Sequence, residues 1–245
     1  MSPSTLPLFS VITVCRNARE TIAATLESVR TQRVGEGVLE HWVIDGDSDD
    51  GTMEIVRGFP EVRWLSEADK GIADAFNKGM RLARGRYVLY LNADDYFHDA
   101  LVVADAARFL EKRGWPVWMV GDIATAQSGS PERLLPRLPI SCWSMMFYCR
   151  APHPAVFLHR ETLVGMDGFR TELRVAMDYD LWQRMCARGY KPVHFPRLVS
   201  VFSTAGISSM ESADQQAERR AIQGRFRDTR FKRLVGAAYD WLKKR

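Results

Sequence analysis

The sequence predicts an α/β fold in which a mostly parallel central sheet is flanked by helices, with a helical extension at the C-terminal end. Short β-branched or aromatic runs at Phe9–Val14, Trp42–Asp45, Tyr87–Leu91 and Val117–Val120 alternate with segments whose apolar residues recur every three or four positions, the rhythm of a parallel-stranded sheet. The 245 residues are 46% hydrophobic and 26% charged, a composition that supplies a sizeable core and excludes collagenous and disordered readings. No linker rich in Gly, Ser and Pro divides the chain, so it reads as one compact unit with appendages.

Taken in order, Ile22, Leu26 and Val29 fall on one helical face between the first two runs. Ile72, Ala75, Phe76, Gly79, Met80 and Ala83 do the same between the second and third, and Arg84-Gly85 stops that helix before the next strand. Both stripes are core faces. Residues 125–139, rich in Ser, Gly, Pro and Arg, read as an exposed loop. A strand follows at Ala155–Leu158, then a turn around Gly165–Gly168 and a helix from about Tyr179 to Arg188. Extended pieces come next at Val193–Phe195 and Leu198–Phe202. Along Gln215–Arg245, Phe231, Leu234, Val235, Ala238, Trp241 and Leu242 mark one face of a helical tail.

The formal charge of +4 is unevenly spread: residues 217–245 carry ten Lys/Arg against three Asp/Glu, whereas residues 1–216 carry 24 against 27. Cys15, Cys142, Cys149 and Cys186 lack CxxC spacing and are sparse, which predicts reduced thiols. The start, MSPSTLPLF, has no basic region or apolar core of a signal peptide, and no apolar run reaches the roughly 18 residues of a membrane span. The expectation is a cytoplasmic protein, soluble or peripheral on the inner membrane face.

In an open α/β sheet, ligands lie beyond the carboxyl ends of the strands. Three polar stretches stand there: Thr13-Val14-Cys15-Arg16-Asn17, Asp45 through Thr52, and Asn92-Ala93-Asp94-Asp95. Neither a GxGxxG turn nor a P-loop follows any strand, so a bound phosphate needs another source of neutralisation. Asp94 and Asp95 supply hard oxygen ligands suited to Mg²⁺ or Mn²⁺, and two adjacent carboxylates at the end of a buried strand repel each other unless a cation or donor compensates. Asp45-Gly46-Asp47-Ser48-Asp49-Asp50 is not a calcium loop, because Asp50 stands at the sixth position and Val56 at the twelfth. Ser48 and Asp50 read as caps of a helix starting near Thr52. Asp178 and Asp180 read either as a helix N-cap with a first-turn acid or, for one of them, as a general base.

The order of these motifs resembles the inverting glycosyltransferases of family 2, of the bacterial polysaccharide and O-antigen type. The matching stretches are SVITVCRNARETIAATLESVRTQ, VIDGDSDDGT, SEADKGIADAFNKGMRLARGRYVLYLNADD, HPAVFLHRETLVGMDGF, MDYDLWQRM and FSTAGISS, together covering about residues 8–210. The resemblance implies a GT-A fold, Rossmann-like, over residues 1–210, with a donor half to about 120, an acceptor half from about 121, and the basic amphipathic tail at 211–245. It implies a nucleotide-sugar site with Asp45 reading the base, Thr13 and Arg16 bordering it, and Asp69 and Lys70 on the neighbouring donor segment. Asp94 would lie near ribose and diphosphate, Asp95 with Asp94 at a divalent cation, and Asp178 would be the catalytic base. Met177 stands where the family usually has Glu, and Asn92 where it often has Asp. His153 lies on an acceptor-side segment; Trp182, Trp143 and Phe147 are candidates for stacking on a sugar face, with core packing the favoured role for each.

The implied activity is a metal-dependent hexosyl transfer from a nucleotide sugar, with uridine the leading base, to a saccharide or lipid-linked saccharide. A sugar-nucleotide nucleotidyltransferase is disfavoured because CRNARET contains no glycine-rich loop. A non-catalytic nucleotide-sugar-binding subunit is kept open by Met177 and Asn92. Nucleic acid is disfavoured by the acidic balance of residues 1–216. The basic tail is read equally as a contact for anionic lipid or as a helix packed on the core.

Overall fold

The computed structural model describes residues 6–126, 133–134, 140–146, 151–203 and 216–226. Among the described residues the sheet contains nine strands. The first strands are β1 (Phe9–Cys15), β2 (Leu39–Asp45), β3 (Arg63–Ser66) and β4 (Tyr87–Tyr90), followed by the short β5 (Tyr96–Phe97). Beyond them come β6 (Trp118–Ala126), β7 (Arg133–Leu134), β8 (Val156–His159) and β9 (Val193–Ser203). The spatial order is β3-β2-β1-β4-β8-β6-β9-β5, with β7 paired to β6. Pairings among β3, β2, β1 and β4 are parallel, those of β8 with β4 and β6 are antiparallel, and β6 with β9 is parallel again.

The parallel half explains the apolar runs of the sequence. Every residue of β1 and β4 is buried, as expected for strands covered on both faces. Helices α1 (Ile22–Arg30), α2 (Thr52–Arg57), α3 (Ile72–Leu82) and α4 (Val102–Lys112) connect these strands, and α5 (Arg160–Val164) and α6 (Met177–Ala187) follow β8. Helix α3 buries the predicted stripe through Ala75, Phe76, Gly79 and Met80. Gly79 sits where a Cβ would overlap the Ile12 side chain, so glycine lets α3 lie close on β1.

Two expectations shift in detail. The extended pieces at 193–195 and 198–202 are one strand, β9, whose pairing with β6 is irregular around Asp122. Residues 216–226 of the tail are helical, here α7; Ile222 and Phe226 bury against Ala176 and Tyr179 of the α6 start. This stretch packs on the core, while the apolar face from Phe231 to Leu242 lies outside the described residues.

The cysteine expectation is corrected. Cys142 and Cys186 form a disulfide with Cα atoms 5.4 Å apart, tying residues 140–146 to α6, whereas Cys15 is free and buried. The 44-residue separation conceals that adjacency in the sequence. Cys149 lies outside the described residues.

Candidate active site

Strand β4 delivers the acidic stretch to the carboxyl edge of the sheet, where Ala93 N–H donates to Val14 O at 3.2 Å and Asp95 N–H to Asn92 O at 3.0 Å. Thr25 of α1 fixes this turn by donating its hydroxyl to Asp95 O at 2.7 Å. The Asp95 carboxylate is wholly covered: Oδ1 accepts from Ser203 N–H at the end of β9, 3.1 Å away, and Oδ2 is buried with no hydrogen-bond partner. Burial pushes Asp95 up to about 7 and raises Asp94 as well. An orphaned buried carboxylate oxygen beside a second acid is the donor set a divalent cation would satisfy. Among the described residues, no three His, Cys, Asp or Glu side chains form a complete cation site, so bound phosphate or water would have to complete the shell.

His153 stands at the centre. Its Nε2 is 3.0 Å from Asn92 Nδ2 and 4.0 Å from Asp95 Oδ2, and its Nδ1 is 3.7 Å from Asp178 Oδ2. Phe76 and Phe202 meet the ring edge-on, with centroids 5.7 and 6.5 Å away. One imidazole thus lies between the strand-end acids and the first turn of α6.

Asp178 is the second residue of α6, not its N-cap; Ala176 occupies that position, and its side chain supplies no cap. Asp178 Oδ1 accepts from Tyr179 N–H at 2.6 Å, and its Oδ2 faces His153. Its neighbour Asp180 is fully buried, with Arg184 at 2.7 Å and Arg170 at 3.2 Å, so this acid anchors the helix. The two departures in sequence also find places: Met177 is 3% exposed in the core, and Asn92 contacts His153.

At the other end of the site, Arg16 is exposed just past β1. A Cβ at Gly46 would lie 2.5 Å from Asp69 Oδ2 and 3.5 Å from the Arg16 Cβ, so glycine allows these segments to converge. Asp69 Oδ1 accepts from Gly71 N–H at 2.8 Å, and Lys70 is exposed beside it. Asp45 is 0% exposed; Ser48 Oγ donates to its Oδ1 at 2.5 Å, and Ser66 Oγ and Ser48 N–H donate to its Oδ2 at 2.7 and 3.1 Å. A nucleotide base reaching Asp45 would have to take over one of those bonds.

Two expected site residues lie in the interior. Thr13 is fully buried with its hydroxyl on His41 Nε2 at 2.9 Å. Trp182 is 1% exposed, stacks on Trp118 with centroids 5.3 Å apart, and donates to Ala151 O, so it cannot present a face to an acceptor. Trp143 is 69% exposed on the segment tied to α6. The parts not anticipated are Thr25, Ser203 and the link between Asn92 and His153; only the last carried a signal, since Asn replaced Asp beside an acidic pair.

Comparison with known proteins bears on the family and the fold. A family model described as Glycosyl transferase family 2 matches residues 10–148. An uncharacterized glycosyltransferase of Mycobacterium tuberculosis is 30% identical over 206 residues, covering 83% of this chain and 78% of its own. The Escherichia coli protein named UDP-Glc:alpha-D-GlcNAc-diphosphoundecaprenol beta-1,3-glucosyltransferase WfaP is 26% identical over 195 residues, covering 76% and 73%. The structure of S. aureus TarS 1-349 in complex with UDP-GlcNAc superposes with a TM-score of 0.70 at 20% identity, over 87% of this chain. This chain spans 65% of that TarS chain, less than two thirds, and the likeness identifies the fold as GT-A.

Proposed function

The chain belongs to glycosyl transferase family 2, and from that premise we propose that it moves a sugar from a UDP-sugar to a saccharide or lipid-linked saccharide acceptor, with inversion, in cell-surface polysaccharide biosynthesis. The observation that carries this reading is the placement of His153 between Asp95 and Asp178, which brings the strand-end acids and the base carboxylate to one ring. Asp178 accepts the proton of the acceptor hydroxyl as that oxygen forms its bond to the anomeric carbon and the bond to the diphosphate breaks, the electron pair leaving with the nucleotide. One displacement inverts the anomeric centre.

Asp95 and Asp94 would hold Mg²⁺ or Mn²⁺, whose chemistry is to offset the charge of the leaving diphosphate. Arg16, Asp69 and Lys70 border the nucleotide, with Asp45 behind them as its base contact once a Ser bond is exchanged. The name of WfaP pairs UDP-Glc with a diphosphoundecaprenol acceptor and TarS was crystallised with UDP-GlcNAc, which supports a uridine donor and a lipid-linked acceptor. The basic residues beyond 226 are assigned to an anionic membrane face, where such acceptors reside.

Thermal-shift titration of nucleotide sugars with and without Mn²⁺, on the wild-type chain and on Asp178→Asn, tests the reading. The expected result is Mn²⁺-dependent stabilisation by a UDP-sugar in both proteins, with turnover reduced at least about 100-fold in the variant. Retained turnover in Asp178→Asn, or a product of retained anomeric configuration by NMR, excludes the mechanism.

A further inference from the structure

We propose that Glu218, on the C-terminal helix α7, is a positioning residue for Asp178. The inference rests on the reading of Asp178 as the base. Helix α6 starts at Met177, and its N-cap Ala176 has no side chain that can cap. The exposed amides of such a start need acceptors from elsewhere. Both oxygens of Glu218 hold the N-cap amide and the two amides that lead into it: Oε1 accepts from Arg174 N–H at 2.8 Å, and Oε2 from Val175 N–H at 3.0 Å and Ala176 N–H at 2.7 Å.

Three N–H groups on one carboxylate are charge-assisted bonds, and the negative charge sits at the positive end of the α6 dipole. Glu218 is itself held, because Ile222 and Phe226, one and two turns further along α7, are buried against Ala176 and Tyr179. Asp178 follows the clamped turn by two residues. Its Oδ2 faces His153 at 3.7 Å, so any slide or rotation of the α6 start changes that approach directly. In the same turn, Asp180 is gripped by Arg170 and Arg184, and Arg225 of α7 lies 3.7 Å from its Oδ1. The first turn of α6 is therefore fixed at two points, and the Glu218 point comes from a segment outside the motifs of the α/β core.

A carboxylate that must meet an acceptor hydroxyl tolerates little displacement, since about 1 Å of misplacement costs of the order of 100-fold in rate. The arrangement accordingly gives the C-terminal helix a part in turnover through the position of Asp178.

The experiment uses the full chain with Glu218→Ala and Glu218→Gln, the latter keeping one carbonyl acceptor. Amide hydrogen exchange of a peptide spanning residues 172–179 should speed up about tenfold or more in Glu218→Ala and less in Glu218→Gln. UDP release from UDP-glucose and UDP-GlcNAc with Mn²⁺, measured below the melting temperature, should show kcat lowered about tenfold or more with donor KM within about twofold of wild type. Glu218→Gln should recover part of that loss. In an Asp178→Asn background, Glu218→Ala should add no further loss.

Unchanged exchange, or faster exchange with unchanged kcat, overturns the proposal. If Glu218→Ala does not fold, the same two readouts on Glu218→Gln decide it. Failure of the base reading looks different: Asp178→Asn alone then keeps wild-type turnover, and with it both inferences fall.

Discussion

Burial of the His41 imidazole on strand β2 pushes it down to about 3, well below the ordinary histidine value. Between pH 6.5 and 3 the unfolded chain therefore binds a proton that the folded chain does not. Stability is complete above about pH 6.5 and falls as the pH drops through that window, by up to about 1.4 kcal/mol per pH unit. His41→Gln, which keeps a partner for Thr13, should remove that part of the acid slope in urea unfolding measured at pH 7.5 and 5. An unchanged slope would mean that His41 is protonated in the folded protein. The same pair shows where reading residue by residue stops. The expectation from sequence set Thr13 beside a nucleotide, whereas the β1–β2 register sets it diagonally from His41 on one face of the sheet, and that contact uses its hydroxyl. Asp94 and Asp95 were readable because two acids after a buried strand are costly without compensation. The central place of His153 was not, since it follows from the way β8 packs antiparallel beside β4.

Among the elements, those with strong periodicity were readable from sequence and those made by pairing alone were not. Strands β1, β2, β4 and β6 are apolar runs, and α3 carries a full stripe. Strand β5 has two residues and exists because Tyr96 and Phe97 pair with Val201 and Ser200, a relation with no local pattern. The α3 stripe also contains a tight junction. A methyl at Gly79 would overlap Ile12 and press on Ile44, forcing α3 off β1. Alanine is the better helix former by up to about 1 kcal/mol, but overpacking costs about 1–3 kcal/mol, so the clash prevails. Gly79→Ala should lower the urea midpoint. It should also weaken donor-dependent turnover, because α3 carries Phe76, which holds the His153 ring. A variant as stable as wild type would show that the helix can shift at no cost.

At the scale of the whole molecule, the charge asymmetry divides at a point that the sequence alone could not supply. The basic stretch begins near residue 217, but residues 216–226 form a helix packed on α6, with Glu218 bonded to the turn ahead of Asp178. Residues 227–245 retain seven Lys/Arg against two Asp/Glu, together with Phe231, Leu234, Trp241 and Leu242. Attraction of such a segment to anionic lipid amounts to about 1 kcal/mol per basic residue near the surface and is screened by salt. A chain ending after Phe226 should therefore lose sedimentation with anionic vesicles while keeping kcat on a soluble acceptor. A chain ending after Gln215 should lose both, because the clamp on α6 goes with α7. The full chain should sediment with anionic vesicles at low salt and release them as salt rises, and it should ignore neutral vesicles. Equal vesicle binding by the full chain and the chain ending after Phe226 would remove the membrane role from residues 227–245. Equal turnover by both truncations would remove the catalytic role from α7, so the two cuts separate functions that the bare charge count runs together.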